Sequence, residues 1–265
     1  MRILLKSIAI FLLLSLYALI ALGIMALPAS RAHRLARLTG NVRFFARLCL
    51  RVLGIRVHAH RIKRKGLRRH RTHYLIISNH LSYVDILVIA SLMPSVFITS
   101  VELKQTFPLG FFAWCGGCLF VERRSPAGLK REIKEIAEVL AGGTSVVLFP
   151  EGTTSDGDTV RPFKNSLITA AITTGTSLLP VCIRYRSANG HKVDQTNRDS
   201  LYYYGGTTFF QHLPRLLALR SIDVECVIMK PVPTHQHHSR KDLATVAHQV
   251  IRAMYCGRPS GRRRT

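Results

Sequence analysis

Residues 1–84 contain no Asp or Glu, and within them the run 7–30 carries no charged side chain at all. Leu, Ile and Ala dominate that run. At about 24 residues it is long enough to cross or enter a bilayer, where roughly 20 suffice. A cleaved signal peptide is the competing reading, with Ala26-Leu27-Pro28-Ala29-Ser30 as a loose cleavage region. The apolar core of such signals is usually shorter, about 7–15 residues. Basic residues follow densely: Arg31, Arg34, Arg37, Arg43, Arg47 and Arg51. Positively charged flanks stay on the cytoplasmic side. The expectation is an N-terminal membrane-embedded helical segment, with the bulk of the chain on the cytoplasmic face of the cell inner membrane.

The formal net charge of +24 points to a polyanionic partner, either nucleic acid or an anionic bilayer surface. The apolar run favours anionic membrane lipids. A membrane-tethered nucleic-acid binder is the reading from a different class, but few aromatics interleave with the basic stretch 56–71, and no standard nucleic-acid motif is present. No specific nucleic acid is therefore expected. Arg43, Arg47 and Arg51 recur at four-residue spacing among Phe and Leu, as in a basic interfacial helix over 40–54, with an ordinary core-facing helix as the alternative. Stretch 56–71 reads as a strand and loop near lipid headgroups, where each cation contributes about 1 kcal/mol.

Six cysteines are scattered along the chain. On a cytoplasmic face they are expected to be reduced. Cys115-Gly116-Gly117-Cys118 has no second CxxC to complete a zinc site and reads as a turn.

From residue 74 onward, strand and helix patterns alternate. Strands are predicted at 74–78, 96–101, 118–121, 145–149, 178–185 and 222–229. Helices are predicted at 84–92, 107–114, 129–141, 166–174 and 240–254. That order implies an α/β fold, a mostly parallel central sheet flanked by helices. The organisation expected is a membrane anchor with a basic interfacial helix (1–54), an α/β domain (55–256) and a basic disordered tail (257–265). The polar stretch 187–200 reads as a flexible loop.

Four segments carry chemistry. In Asn79-His80-Leu81-Ser82-Tyr83-Val84-Asp85, the first carboxylate of the chain stands five positions after a His, where a strand gives way to a helix. A His oriented by a carboxylate is the minimal apparatus for taking a proton from a hydroxyl. Ser82 with Asp85 also fits a plain helix cap. Gly117-Cys118-Leu119-Phe120-Val121-Glu122-Arg123 ends a strand in a carboxylate and a guanidinium, which is either a phosphate grip or a solvated charge. Phe149-Pro150-Glu151-Gly152-Thr153 offers backbone N–H groups and hydroxyls to an anion, or merely punctuates a strand. Leu179-Pro180-Val181 reads as strand packing.

Taken in this order, the four blocks resemble the glycerolipid acyltransferase family, whose type member is bacterial 1-acyl-glycerol-3-phosphate acyltransferase. Asn79, His80, Ser82 and Asp85 match its NHxSxxD block. Gly117, Phe120, Glu122 and Arg123 match the second, Phe149 to Thr153 the FPEGT block, and Leu179, Pro180 and Val181 the last. The resemblance covers roughly residues 40–230. It implies transfer of a fatty acyl group from acyl-CoA or acyl-carrier protein to a lysolipid hydroxyl, with His80 as base and Asp85 holding it. Arg123, Glu151, Gly152 and Thr153 would position the acceptor phosphate, and Pro180 would shape a pocket. No metal is implied, and no cofactor beyond the thioester co-substrate. Lysophosphatidic acid is the first acceptor and lyso-ornithine lipid the alternative, because position 154 is Thr where the family often has a basic residue. Arg161 and Lys164 would compensate. A non-catalytic lipid carrier on the same fold is the remaining reading, and the intact His80–Asp85 pair speaks against it.

Overall fold

A computed structural model describes residues 1–62, 73–122, 128–236 and 239–257. The basic stretch 63–72, Arg123 and Arg124, and the tail 258–265 lie outside the described residues.

The apolar N-terminal run forms α1 (Arg2–Ala26), and α2 (Arg31–Leu53) follows it. Ser30 caps α2, its hydroxyl accepting the His33 N–H. Gly54 ends the helix in the left-handed region at φ +77°, where a Cβ would lie 2.3 Å from the Arg220 carbonyl oxygen. Glycine is thus required there for both conformation and approach. The chain continues through β1 (Ile55–Arg61), β2 (Leu75–Ser78), α3 (Val84–Leu92), β3 (Val96–Ser100), α4 (Val101–Lys104), α5 (Leu109–Cys115) and β4 (Leu119–Val121). Next come α6 (Leu129–Ala141), β5 (Val146–Leu148), α7 (Thr169–Thr174), β6 (Leu178–Ala188) and β7 (His191–Lys192). The last elements are α8 (Phe209–Ala218), β8 (Ile222–Ile228) and α9 (Arg240–Cys256).

The sheet runs β1-β8-β6-β2-β5-β3-β4, with β7 paired to β6. Its pairings are parallel except β6 with β8 and β6 with β7. Alternation along the central strands splits the core into two. Ile76, Val147, Leu179, Val181 and Ile183 face α2, α3 and α8. Leu75, Ile77, Val146, Leu148 and Cys182 face α6, α7 and α9. Each fully buried Ile or Leu here contributes roughly 1.5–3 kcal/mol. Helices on both faces explain why β2 is apolar at every core position instead of alternating with polar residues.

α1 is not a detached anchor. Tyr17, Ala18 and Ala21 are buried against Leu38 and Phe45 of α2 and Cys115 of α5. Lys6 Nζ donates to the carbonyls of Leu53 (2.9 Å) and Leu219 (2.6 Å), at the C-terminal ends of α2 and α8, where helix carbonyls lack partners. The opposite face, including Leu4, Leu5, Phe11, Leu12, Leu16 and Leu19, is exposed. α2 combines both readings of its sequence. Ala46, Leu50 and Leu53 enter the main core, while Arg37, Arg47 and Arg51 stay exposed. Arg47 Nε also donates to the Ser91 carbonyl (2.8 Å) at the end of α3.

Three elements escape the sequence pattern: α4, whose first residue Val101 reads as the end of a strand, α8 and β7. α8 carries Pro214, which argues against a helix. Its signal was the capping box of Thr208 and Gln211. The polar stretch 187–200 contains the β6–β7 hairpin, turned by Asn189-Gly190 with both residues at positive φ, the signature of a two-residue hairpin loop.

Candidate active site

The site forms where β2 ends, at the centre of the sheet. Asn79 does not continue the strand but imitates it. Its Nδ2 donates to the Ile183 carbonyl (2.9 Å) and its Oδ1 accepts from the Ile183 N–H (2.9 Å). With the neighbouring ladder of β6 satisfied by a side chain, the backbone is released into the loop that carries His80.

α3 begins at Val84, so Asp85 stands in its first turn and folds back over the loop. One carboxylate oxygen, Oδ2, accepts from the N–H groups of Leu81 (2.6 Å) and Ser82 (2.9 Å) and from His80 Nδ1 (3.0 Å). The other, Oδ1, accepts from the Tyr185 hydroxyl (2.8 Å). Asp85 is fully buried. Because a carboxylate only accepts, the proton of this contact sits on Nδ1 of His80, which leaves Nε2 as the basic nitrogen of the neutral ring. The ring stacks on Phe149 with centroids 3.9 Å apart, and 16% of the side chain is exposed. It is held on one side and open on another.

The Phe149–Ser155 loop closes against the same backbone. Glu151 Oε1 accepts the His80 N–H (2.8 Å) and Oε2 accepts the Arg161 N–H (3.0 Å). Burial pushes the Glu151 carboxyl pKa up, and these hydrogen bonds oppose the shift. Ser155 N–H donates to the His80 carbonyl (3.1 Å). Gly152 has φ +80°, and a Cβ there would meet Lys164 Nζ at 3.0 Å, so the ammonium lies directly over this turn. Thr153 is exposed beside it.

Asn79, His80, Ser82, Asp85, Glu151 and Gly152 therefore converge. Asn79 and Ser82 are buried and serve the loop's scaffold. Glu151 clasps the two loops together. Pro180 is buried in β6, in register with Ile77, and its carbonyl accepts from Met229 N–H (3.0 Å). Gly117, Phe120 and Glu122 belong to the β4 edge, three strands from β2. Gly117 has φ +72° and a Cβ there would meet Leu35 of α2 at 3.0 Å. Lys104 Nζ lies 5.6 Å from the Phe120 ring centre. Arg123 follows Glu122 outside the described residues.

Two features were not anticipated from the sequence. Tyr185 reaches Asp85 from β6; the only hint was a phenol in an apolar strand, where a buried hydroxyl needs a partner. The second is a cleft of about 360 Å³ between the α4–α5 connection and the start of α8, lined by Leu103, Phe107, Leu109, Tyr203, Phe209 and Phe210. Tyr203 N–H donates to the Leu81 carbonyl (2.9 Å), which joins this cleft to the His80 loop.

A basic imidazole nitrogen, backed by a buried carboxylate and reachable from outside, is equipped to deprotonate a hydroxyl. Comparisons with known proteins agree in kind. Residues 54–184 match the acyltransferase family. A lyso-ornithine lipid O-acyltransferase of Rhizobium meliloti (strain 1021) is 31% identical over 84% of this chain and 77% of its own length. A 1-acyl-sn-glycerol-3-phosphate acyltransferase of Neisseria gonorrhoeae is 29% identical over 68% of each chain. The crystal structure of the 1-acyl-sn-glycerophosphate (LPA) acyltransferase PlsC from Thermotoga maritima shares the fold, with a TM-score of 0.68 over 98% of both chains at 20% identity.

Proposed function

The chain belongs to the acyltransferase family, and from that premise we propose that His80 and Asp85 drive direct acyl transfer from a thioester to a lysolipid hydroxyl at a membrane surface. The observation that carries this reading is the buried Asp85 carboxylate on His80 Nδ1. The acceptor oxygen attacks the thioester carbonyl as its proton passes to Nε2. Asp85 stabilises the imidazolium. Collapse of the tetrahedral intermediate forms the ester and breaks the C–S bond, and the departing thiolate takes the proton back. No acyl-enzyme is required, and no step is routed through a metal. The donor is acyl-CoA or acyl-carrier protein.

For the acceptor, the residues around Gly152 favour lyso-ornithine lipid over lysophosphatidic acid. Thr154 stands where a cation would grip phosphate, and Asp156 and Asp158 follow it. Lys164 over Gly152 suits the ornithine carboxylate as it would a phosphate, so the acidic Asp156 and Asp158 that follow in sequence carry the preference for a headgroup that also bears an ammonium. The ornithine-lipid relative supports the same order. Membranes containing the protein, given labelled acyl-CoA and both lysolipids, test it. The expected result is higher kcat/KM on lyso-ornithine lipid; use of lysophosphatidic acid alone overturns the headgroup assignment.

The membrane reading is embedding in the cytoplasmic leaflet of the inner membrane. A spanning α1 would have to leave the contacts of Tyr17, Ala18 and Ala21 and the carbonyls that Lys6 binds. Its exposed apolar face can instead lie among acyl chains while α2 keeps its arginines at the headgroups. Tags at both termini should show the same protease accessibility in oriented vesicles. Opposite accessibility would establish a span.

A further inference from the structure

We propose that Tyr185 is a positioning residue of the acyl-transfer site, its hydroxyl fixing the plane of the Asp85 carboxylate so that Oδ2 faces His80 Nδ1. The inference rests on the function proposed above and adds a residue that neither the sequence motifs nor that mechanism uses.

The geometry is a two-point clamp. Oδ2 is held by the Leu81 and Ser82 N–H groups, and Oδ1 by the Tyr185 hydroxyl. These two bonds, like that from His80 Nδ1, all fall on one oxygen and leave the carboxylate free to pivot about it. The Tyr185 bond, on the opposite oxygen, removes the pivot. Tyr185 is rigidly placed to do this. It lies on β6, two residues past Ile183, whose backbone is locked to the Asn79 side chain. Its ring sits edge-on to Tyr202 in the main core. The phenol must donate to be useful, and burial together with the Asp85 charge holds its pKa well above the ordinary value. The Ser82 hydroxyl also bears on the phenol oxygen, opposing that rise. The donor needed at Oδ1 is thus a neutral hydroxyl, which orients the carboxylate without supplying a cation that would cancel its effect on the imidazolium.

Tyr185→Phe keeps the ring and deletes the hydroxyl. Oδ1 then loses its partner, the carboxylate becomes the stronger acceptor, and its hold on imidazolium strengthens while its aim worsens. In membranes, with labelled acyl-CoA and a lysolipid, kcat should fall roughly 10- to 100-fold, the loss expected for one buried hydrogen bond to a charged group. KM for the lysolipid should stay within about twofold, because no bond to bound substrate is removed. The profile of kcat against pH should also change shape, because the carboxylate that orients His80 has lost one of its donors. Tyr202→Phe, which deletes a neighbouring buried hydroxyl that makes no hydrogen bond to Asp85, should leave kcat and the pH profile unchanged.

A Tyr185→Phe enzyme with wild-type kcat and pH profile overturns the proposal. So does an equal loss in Tyr202→Phe, or a Tyr185→Phe chain that loses its cooperative thermal unfolding, since either assigns Tyr185 to core packing. Failure of the underlying reading looks different: His80→Ala would then retain full transfer, or wild-type protein would acylate no lysolipid, and the Tyr185 assignment falls with it.

Discussion

Two histidine–aspartate contacts in this molecule have nearly the same length and opposite prospects. His80 Nδ1 lies 3.0 Å from Asp85, and His58 Nε2 lies 2.9 Å from Asp223 on the sheet's β1 edge. The side chains at the first are 16% and 0% exposed; at the second they are 54% and 18% exposed. Among the described residues, Asp85 receives only neutral backbone and hydroxyl donors besides its histidine. Asp223 is gripped by Nε and Nη2 of Arg56, each at 2.9 Å, and by the Ser187 hydroxyl. The Arg56 hydrogen bonds, then that of His58, hold the Asp223 carboxyl well below the usual range. A permanent cation therefore already occupies its charge, and water screens the remainder. Distance does not make a catalytic pair. Exclusion of water and, among the described residues, absence of a competing cation set the proposed catalytic pair apart from the edge pair.

Breaking each pair in turn separates them most sharply at the histidine. His80→Ala should lower kcat at least about 10³-fold while leaving membrane association intact, since the proposed general base is removed. His58→Ala should leave kcat within about twofold. Labelled acyl transfer to a lysolipid measures both, and equal losses would erase the distinction. Asp85→Asn comes next. The amide places an N–H₂ against groups that already donate, so we expect a loss of roughly 10²–10³ in kcat and about 3 kcal/mol in stability by chemical denaturation. Asp223→Asn should not change turnover. Glu151→Gln is smaller still. One of its two backbone partners, His80 N–H or Arg161 N–H, loses its acceptor, and kcat should fall about tenfold through the altered loop. An unchanged rate would show that the clasp is not needed for the His80 geometry.

The same contrast explains what could be read from the sequence. His80 and Asp85 are five residues apart at a strand-to-helix transition, so their meeting is a local event that spacing and periodicity report. Most strands and helices were legible for the same reason. Glu151 stood out as a conspicuous carboxylate, but its use as a clasp depends on β2 and β5 lying side by side, with Ile77 opposite Leu148. Tyr185 meets Asp85 only because β6 lies against β2 on the other side. No local pattern encodes strand order, and no residue near 185 announces its partner. The placement of β8 antiparallel to β6 was hidden likewise, as was the gathering of Arg56, His58 and Asp223 across the β1–β8 pair. Gly117, Phe120 and Glu122 formed one block with Arg123 in the sequence, yet the fold sets Phe120 on β4 and Gly117 and Glu122 beside its two ends, at the far edge from β1.

The smallest effect is also the one with the clearest pH signature. Asp223 has a folded-state pKa depressed below its ordinary value, chiefly by Arg56. The folded protein therefore binds that proton less readily than the unfolded chain. The stability this group contributes is fully present above the unfolded pKa, near 3.9, and is lost as pH falls through the lower folded value. Because the Arg56 and His58 side chains are 66% and 54% exposed, screening limits the contribution to under about 1 kcal/mol. Unfolding curves of wild type and Asp223→Asn should differ by that small amount at pH 7 and converge towards about pH 2. Added salt near 1 M should shrink the difference, since the Debye length falls to about 3 Å. A gap that survived both acid and salt would mean that Asp223 acts by packing or by its Ser187 hydrogen bond instead of by charge, and the edge pair would then resemble the buried one more closely than their surroundings suggest.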